Sequence, residues 1–200
     1  GITPVATLFH FALPLWMADR GGIAAPDFPD RFGRYAAEAG RRLGPGVDLW
    51  ITLNEPNVPM FLGYVTGQFP PRKQDPAEGM RAFAGLLRAH AAASAALRAA
   101  DAGAKVGVAN NLMLLEPRSR WMLGDWLAAG IVDGFWNWPF PDAVRDGRAR
   151  LRFPGASFDE RIDGLVGSVD FFGLNYYFRY FARMAPGTPE MIAMTPGGGL

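Results

Sequence analysis

Four short apolar runs, separated by helix-like stretches, constrain the fold of this chain more than any other feature. Residues 5–9, 47–53, 105–109 and 169–174 are rich in large or β-branched apolar side chains, and each run gives way to polar or turn-forming residues. Strands apolar on both faces are what a parallel sheet covered by helices requires. The intervening stretches supply those helices. Residues 28–43 place Phe32, Tyr35, Ala36, Ala39 and Leu43 on one face and stop at Gly44. Asp75, Pro76 and Glu78 read as an N-cap, a first helical position and the far half of a capping box. From there Met80, Phe83, Ala84, Leu87, Ala91 and Ser94 recur at helical spacing until Gly103. Residues 119–132, with Trp121, Met122, Trp126 and Leu127, form a further helix candidate. Residues 133–144 hold so many prolines and aromatics that they read as a long loop, and 158–166 is a short amphipathic piece.

About 45 to 65 residues separate equivalent strand ends, room for a helix and an elaborated loop in each unit. No G-x-G-x-x-G follows a strand, which weighs against a dinucleotide-binding fold. The expected class is α/β, a (β/α)8 TIM barrel, with residues 1–200 as a single partial-barrel domain. The glycines at 197–199 read as a flexible tail, not a phosphate cradle.

Half of the 200 residues are hydrophobic, enough for a packed core. No run approaches the roughly 20 apolar residues of a membrane span. A net charge of +1, with dispersed arginines, gives nucleic acid no charged stripe to bind. Neither a membrane nor a nucleic-acid partner is expected. The absence of cysteine excludes disulfides and thiolate-bound metals and suits a reducing, cytoplasmic setting. The chain opens at Gly1 without a methionine or leader-like segment, so it is expected to belong to a longer native protein.

The chemistry-bearing residues stand where the runs stop. His10 closes the first run, Asn54 and Glu55 the second, Asn110 and Asn111 the third, and Asn175, Tyr176 and Tyr177 the fourth. In a (β/α) barrel these ends converge on one face, and each of these groups can hydrogen-bond a hydroxyl. His10 and His90 are the only histidines, and neither metal-ligand spacing nor a nucleophile elbow occurs, so no metal and no cofactor is expected. A carboxyl among amides, phenols and an imidazole is the chemistry of sugar handling. There a carboxylic acid protonates a glycosidic oxygen while neutral groups hold ring hydroxyls.

The stretches TLFHFALPLWMADRGGI (residues 7–23), WITLNEPN (50–57), LGYVTGQFPP (62–71) and VDFFGLNYY (169–177) resemble, in order and spacing, the motifs of glycoside hydrolase family 1, the retaining β-glycosidases. The resemblance covers essentially the whole chain and implies that it matches the third to sixth βα units of the barrel. It implies Glu55 as general acid/base, Asn54 bonded to the sugar 2-hydroxyl and His10 bonded to another hydroxyl of that ring. Asn175 would sit beside the reacting carbon, and Tyr177 would donate its phenol proton to the nucleophile. The implied substrate is a small-molecule β-glycoside or oligosaccharide, cut at its non-reducing end. A retaining mechanism of this kind needs one carboxyl protonated near neutral pH and a second ionised, about 5 to 5.5 Å away.

Two departures qualify the match. Phe11 and Ala12 stand where the family has Trp-Asp after the histidine, which leaves the glycon open. The family's nucleophile motif, T-E-N-G, follows N-Y-Y on a later strand, and nothing after Tyr177 supplies it. Glu190, in GTPEM, follows a proline outside any strand pattern and is not assigned that role. The nucleophile is therefore expected outside these residues, and the segment alone is expected to be inactive, since half a barrel leaves strand edges open. A non-catalytic sugar-binding or receptor-like member of the same fold is the alternative. A phosphate-binding isomerase or aldolase barrel would need a Gly-rich loop or a strand-end lysine. His90, mid-helix, reads as a packing or structural histidine, and Asp133 and Asp142 as caps. Trp136 and Trp138 are either sugar-stacking platforms or core plugs, and Asn110 and Asn111 either cleft residues or a turn.

Overall fold

A computed structural model describes residues 1–153, 156–188 and 191–197. In chain order the elements are β1 (Val5–Phe9), α1 (Leu15–Ala18), α2 (Phe28–Leu43), β2 (Leu49–Asn54), α3 (Asn57–Met60), α4 (Pro76–Ala100), β3 (Lys105–Pro117), α5 (Leu123–Trp136), α6 (Pro139–Asp146), β4 (Arg148–Phe153), β5 (Ala156–Arg161), β6 (Phe171–Met184) and β7 (Ile192–Pro196). A π-helical turn, Phe61–Val65, continues α3. One sheet runs in the order β1-β2-β3-β6-β7, and β4 and β5 form a separate antiparallel hairpin. Strands β1, β2, β3 and β6 are mutually parallel, and β7 lies antiparallel to β6.

Helix α4 packs against β2 and β3, α2 against α4, and α5 against the extended parts of β3 and β6. On α2 the buried stripe is Phe28, Phe32, Ala36 and Gly40, spaced by four, whereas Tyr35 and Leu43 of the expected face are exposed. On α4 all six residues expected on the apolar face are buried, and burial extends to others such as Ala82, Leu86, His90 and Leu97, because α2, the sheet and the β4–β5 hairpin enclose the helix. Close approach explains two glycines. A Cβ at Gly85 would lie 2.4 Å from the Ile23 carbonyl oxygen, and one at Gly107 would lie 2.5 Å from that of Phe171. Bare backbone is what lets α4 seat on the turn before α2 and lets β3 pair with β6. At the start of those two strands Asp170 accepts from the Val106 N–H at 2.9 Å and from Arg98 at 3.0 Å, and the Val106 N–H leads the groups that hold its pKa below the usual carboxylate value.

Several expectations are corrected. Asp75 caps α4, accepting from the Glu78 N–H at 3.0 Å, but the box is not closed. The Asp75 N–H donates to Tyr64, and the Glu78 carboxylate pairs with Lys73 at 3.3 Å instead. The helix expected over 119–132 is α5, shifted toward the C-terminus, which leaves Trp121 almost fully exposed ahead of it. Residues 133–144 are not a loop. They hold the end of α5 and most of α6, where Pro139 and Pro141 occupy the first turn, whose N–H groups have no intrahelical partner to lose. Residues 158–166 divide between β5 and a turn. Asn110 and Asn111 are not a turn either, because β3 runs on to Pro117 beside β6. Likewise Asn175 and Tyr177 lie within β6, not at its end. Glu190, Gly198 and Gly199 lie outside the described residues. No helix among the described residues is long and apolar enough to cross a membrane.

Candidate active site

Unequal strand lengths make the site. β2 stops at Asn54, while β3 and β6 continue beside each other with Asn111 directly opposite Asn175. Two carboxamides therefore stand in a row just past the end of the shorter strand. Glu55 turns toward them. Its φ of 48° lies in the left-handed region, which non-glycine residues occupy rarely and at a cost, commonly at functional sites. Hydrogen bonds hold that turn on both sides. The Glu55 N–H donates to the Ala109 carbonyl at 2.7 Å, and the Glu55 carbonyl accepts from the Val58 N–H at 2.9 Å.

Glu55 is only 6% exposed. Its Oε1 accepts from Asn175 Nδ2 at 2.8 Å and from Asn111 Nδ2 at 3.3 Å. Asn175 Nδ2 also reaches Asn54 Oδ1 at 3.1 Å, and Asn54 Nδ2 lies 3.4 Å from His10 Nε2. Since the Asn54 oxygen is the acceptor, its nitrogen must donate, and the partners thereby assign His10 Nε2 as the proton-free ring nitrogen. His10, Asn54, Asn175 and Glu55 thus form one connected row, with the exposed imidazole at its open end.

Tyr177, two residues beyond Asn175 where the β3–β6 register shifts, is 60% exposed, and its ring meets Phe178. Among the described residues no hydrogen bond joins it to Glu55. Phe11 sits edge-on to both His10 and Phe69.

Asn57 carried no assignment from the sequence, and Trp136 and Asn111 each stood between two readings. Asn57, the last residue of WITLNEPN, donates to the carbonyls of Asn111 at 3.0 Å and Trp136 at 3.2 Å, joining β3 to the end of α5. The Trp136 indole N–H donates to Asn111 Oδ1 at 3.0 Å. Asn111 itself stood open as cleft or turn, and a signal was available. Adjacent residues of a strand point to opposite faces, so one of Asn110 and Asn111 had to face the sheet's inner side. It is Asn111; Asn110 is buried with neither amide atom hydrogen-bonded to protein. Trp138 is half exposed, and its indole N–H donates to Asp133 at 2.7 Å.

His90 belongs to a different cluster. It is fully buried between Thr52 Oγ1, 2.6 Å from Nδ1, and Ser168 Oγ, 2.9 Å from Nε2. Burial, with a smaller contribution from Arg98, pushes its pKa down to about 3. It is the structural histidine that its mid-helix position suggested. No group of three or more His, Cys, Asp or Glu side chains among the described residues could hold a metal ion.

Comparison with known proteins bears on the whole of this arrangement. The family model described as glycosyl hydrolase family 1 matches residues 1–198. Beta-glucosidase A of Thermotoga maritima is 31% identical over 96% of this chain and 45% of its own length. Among solved structures, a β-glycosidase from Pyrococcus horikoshii has a TM-score of 0.86 at 32% identity, covering 98% of this chain and 44% of its own. A Thermotoga maritima family 1 glycoside hydrolase, complexed with a cyclophellitol-analogue transition-state mimic, also has a TM-score of 0.86, at 29% identity, over 99% of this chain and 46% of its own. The parallel strands and their helices are therefore part of a (β/α) barrel, and the chain spans less than half the length of these relatives.

Proposed function

Because this chain belongs to glycosyl hydrolase family 1, we propose that it forms, as one partial-barrel unit, the acid/base half of a retaining β-glycosidase site. Glu55 is the general acid/base, and the nucleophilic carboxylate lies outside these residues. The observation that carries this reading is the commitment of a single carboxyl oxygen. Oε1 of Glu55 is held as an acceptor by two amides, so the proton belongs on Oε2, from which it passes to the glycosidic oxygen as the leaving group departs. The same carboxylate then takes a proton from the water that releases the glycosyl group. His10 and Asn54 hold hydroxyls of the sugar ring, Asn175 stands beside the reacting carbon, and Tyr177 meets the nucleophile. The β-glucosidase and β-glycosidase names of the relatives and the sugar-mimic complex support a small-molecule β-glycoside as substrate.

The test is Glu55→Gln in the full-length protein. Turnover of an unactivated disaccharide is expected to fall by about 10²–10⁴, the usual share of general acid–base catalysis. Glycosylation by a dinitrophenyl glycoside, whose leaving group needs no proton, is expected to survive as a burst. Unchanged disaccharide turnover would overturn the assignment.

A further inference from the structure

An asparagine side chain has nearly the same shape in its two flipped orientations, but opposite hydrogen-bonding sense at each end. For a buried asparagine against a carboxyl group, orientation decides where a proton can sit. With Nδ2 toward Glu55 Oε1, that oxygen must stay proton-free. With Oδ1 there, Oε1 would be invited to carry the proton itself. Asn111 is 8% exposed and reaches Oε1 with Nδ2, and its Oδ1 receives the Trp136 indole N–H at 3.0 Å. An indole nitrogen can only donate. A flipped Asn111 would therefore set two donors against each other in a space with little water. Asn57 fixes the register of the pair, since its one amide nitrogen bonds the backbone carbonyls of both Asn111 and Trp136. Trp136 itself is braced edge-on by Phe61, with ring centres 5.7 Å apart.

Building on the reading of Glu55 as general acid, we infer that Asn111 is a positioning residue whose orientation is set by the Trp136 indole N–H, so that the Glu55 proton is confined to Oε2. Trp136 thus acts through its polar edge, not as a stacking platform.

The experiment is a double-mutant cycle in the full-length protein, combining Trp136→Phe with Asn111→Leu and reading kcat/KM for a phenyl and a dinitrophenyl glycoside. Trp136→Phe is expected to lower the phenyl reaction about tenfold more than the dinitrophenyl one, a part of what general acid catalysis supplies. In the Asn111→Leu background it is expected to change neither by more than about twofold, because the two act as one unit. Equal losses on both substrates, or an undiminished Trp136 effect in that background, would overturn the inference. Should Trp136→Phe not fold, benzothienylalanine at the position keeps the ring and replaces only the N–H by sulfur, with the same outcomes. Glu55→Gln run alongside separates the two claims. If it spares phenyl turnover, the acid assignment falls, whereas if it abolishes that turnover while the Trp136 ratio stays flat, only the positioning role falls.

Discussion

Glu55 and His90 are both buried, titratable and hydrogen-bonded by neighbouring elements, yet their networks differ in closure. The His90 network is complete. Ser168 Oγ donates to the Leu165 carbonyl at 2.6 Å, so His90 Nε2 must be the donor to Ser168, which leaves Nδ1 to accept from Thr52. Every ring atom that can bond does so, and none meets solvent. Around Glu55 the donors crowd onto Oε1, and the row leads outward to an exposed imidazole. One cluster ties α4 to β2 and to the turn before β6; the other leaves Glu55 Oε2 without a hydrogen-bond partner among the described residues. Burial and hydrogen bonding alone do not distinguish a site from a strut. Between these two, the carboxyl oxygen left without a partner does.

The largest expected effects should fall on opposite observables. Glu55→Gln should cost about 10²–10⁴ in turnover of poor leaving groups, or about 3–5 kcal/mol of barrier, with an unchanged melting temperature, since the amide oxygen can still serve Asn111 and Asn175. His90→Leu should do the reverse. It removes two buried hydrogen bonds, whose hydroxyl partners keep carbonyl fallbacks at Gly107 and Leu165, so unfolding in denaturant should show a loss of about 2–3 kcal/mol. The folded fraction should retain its kcat. If both substitutions moved both observables alike, the contrast would break.

Acid sharpens the contrast by a smaller step for each pH unit. The His90 pKa is lowered on folding from an ordinary 6.5 to about 3, so between those values the unfolded chain binds the extra proton. Its stabilising contribution is complete above about pH 6.5 and is lost as pH falls toward 3, by at most about 1.4 kcal/mol per unit. Denaturant midpoints measured across that range should fall less steeply for His90→Leu than for the parent. Equal slopes would remove His90 from the account.

Much of this was readable from residues alone, for identifiable reasons. β1 and α2 fall where the run at 5–9 and the periodicity over 28–43 put them, and Asp75 caps α4 as its spacing with Glu78 implies. The extension of β3 and β6 was hidden because it depends on their mutual pairing and not on the apolar content of either. The β4–β5 hairpin leaves a legible trace in its alternation: Ala149 and Leu151 are buried between exposed Arg148, Arg150 and Arg152. At the site, Asn54 and Glu55 were legible as a polar ending to an apolar strand. The bond between Asn111 and Trp136 was not, because it depends on β3 register and on where α5 ends.

The central claim is that Glu55 stands on the β face of the bound sugar, gives its proton to the glycosidic oxygen as the leaving group departs and takes one from the water that releases the glycosyl group. It is tested most directly by Glu55→Ala in the full-length protein, turning over a dinitrophenyl β-glucoside with and without azide. Removing the side chain opens a space beside the glycosyl intermediate which a small anion can enter without needing a base. Azide should accelerate turnover and yield the β-glycosyl azide. No acceleration, or an α-linked product, would contradict the account.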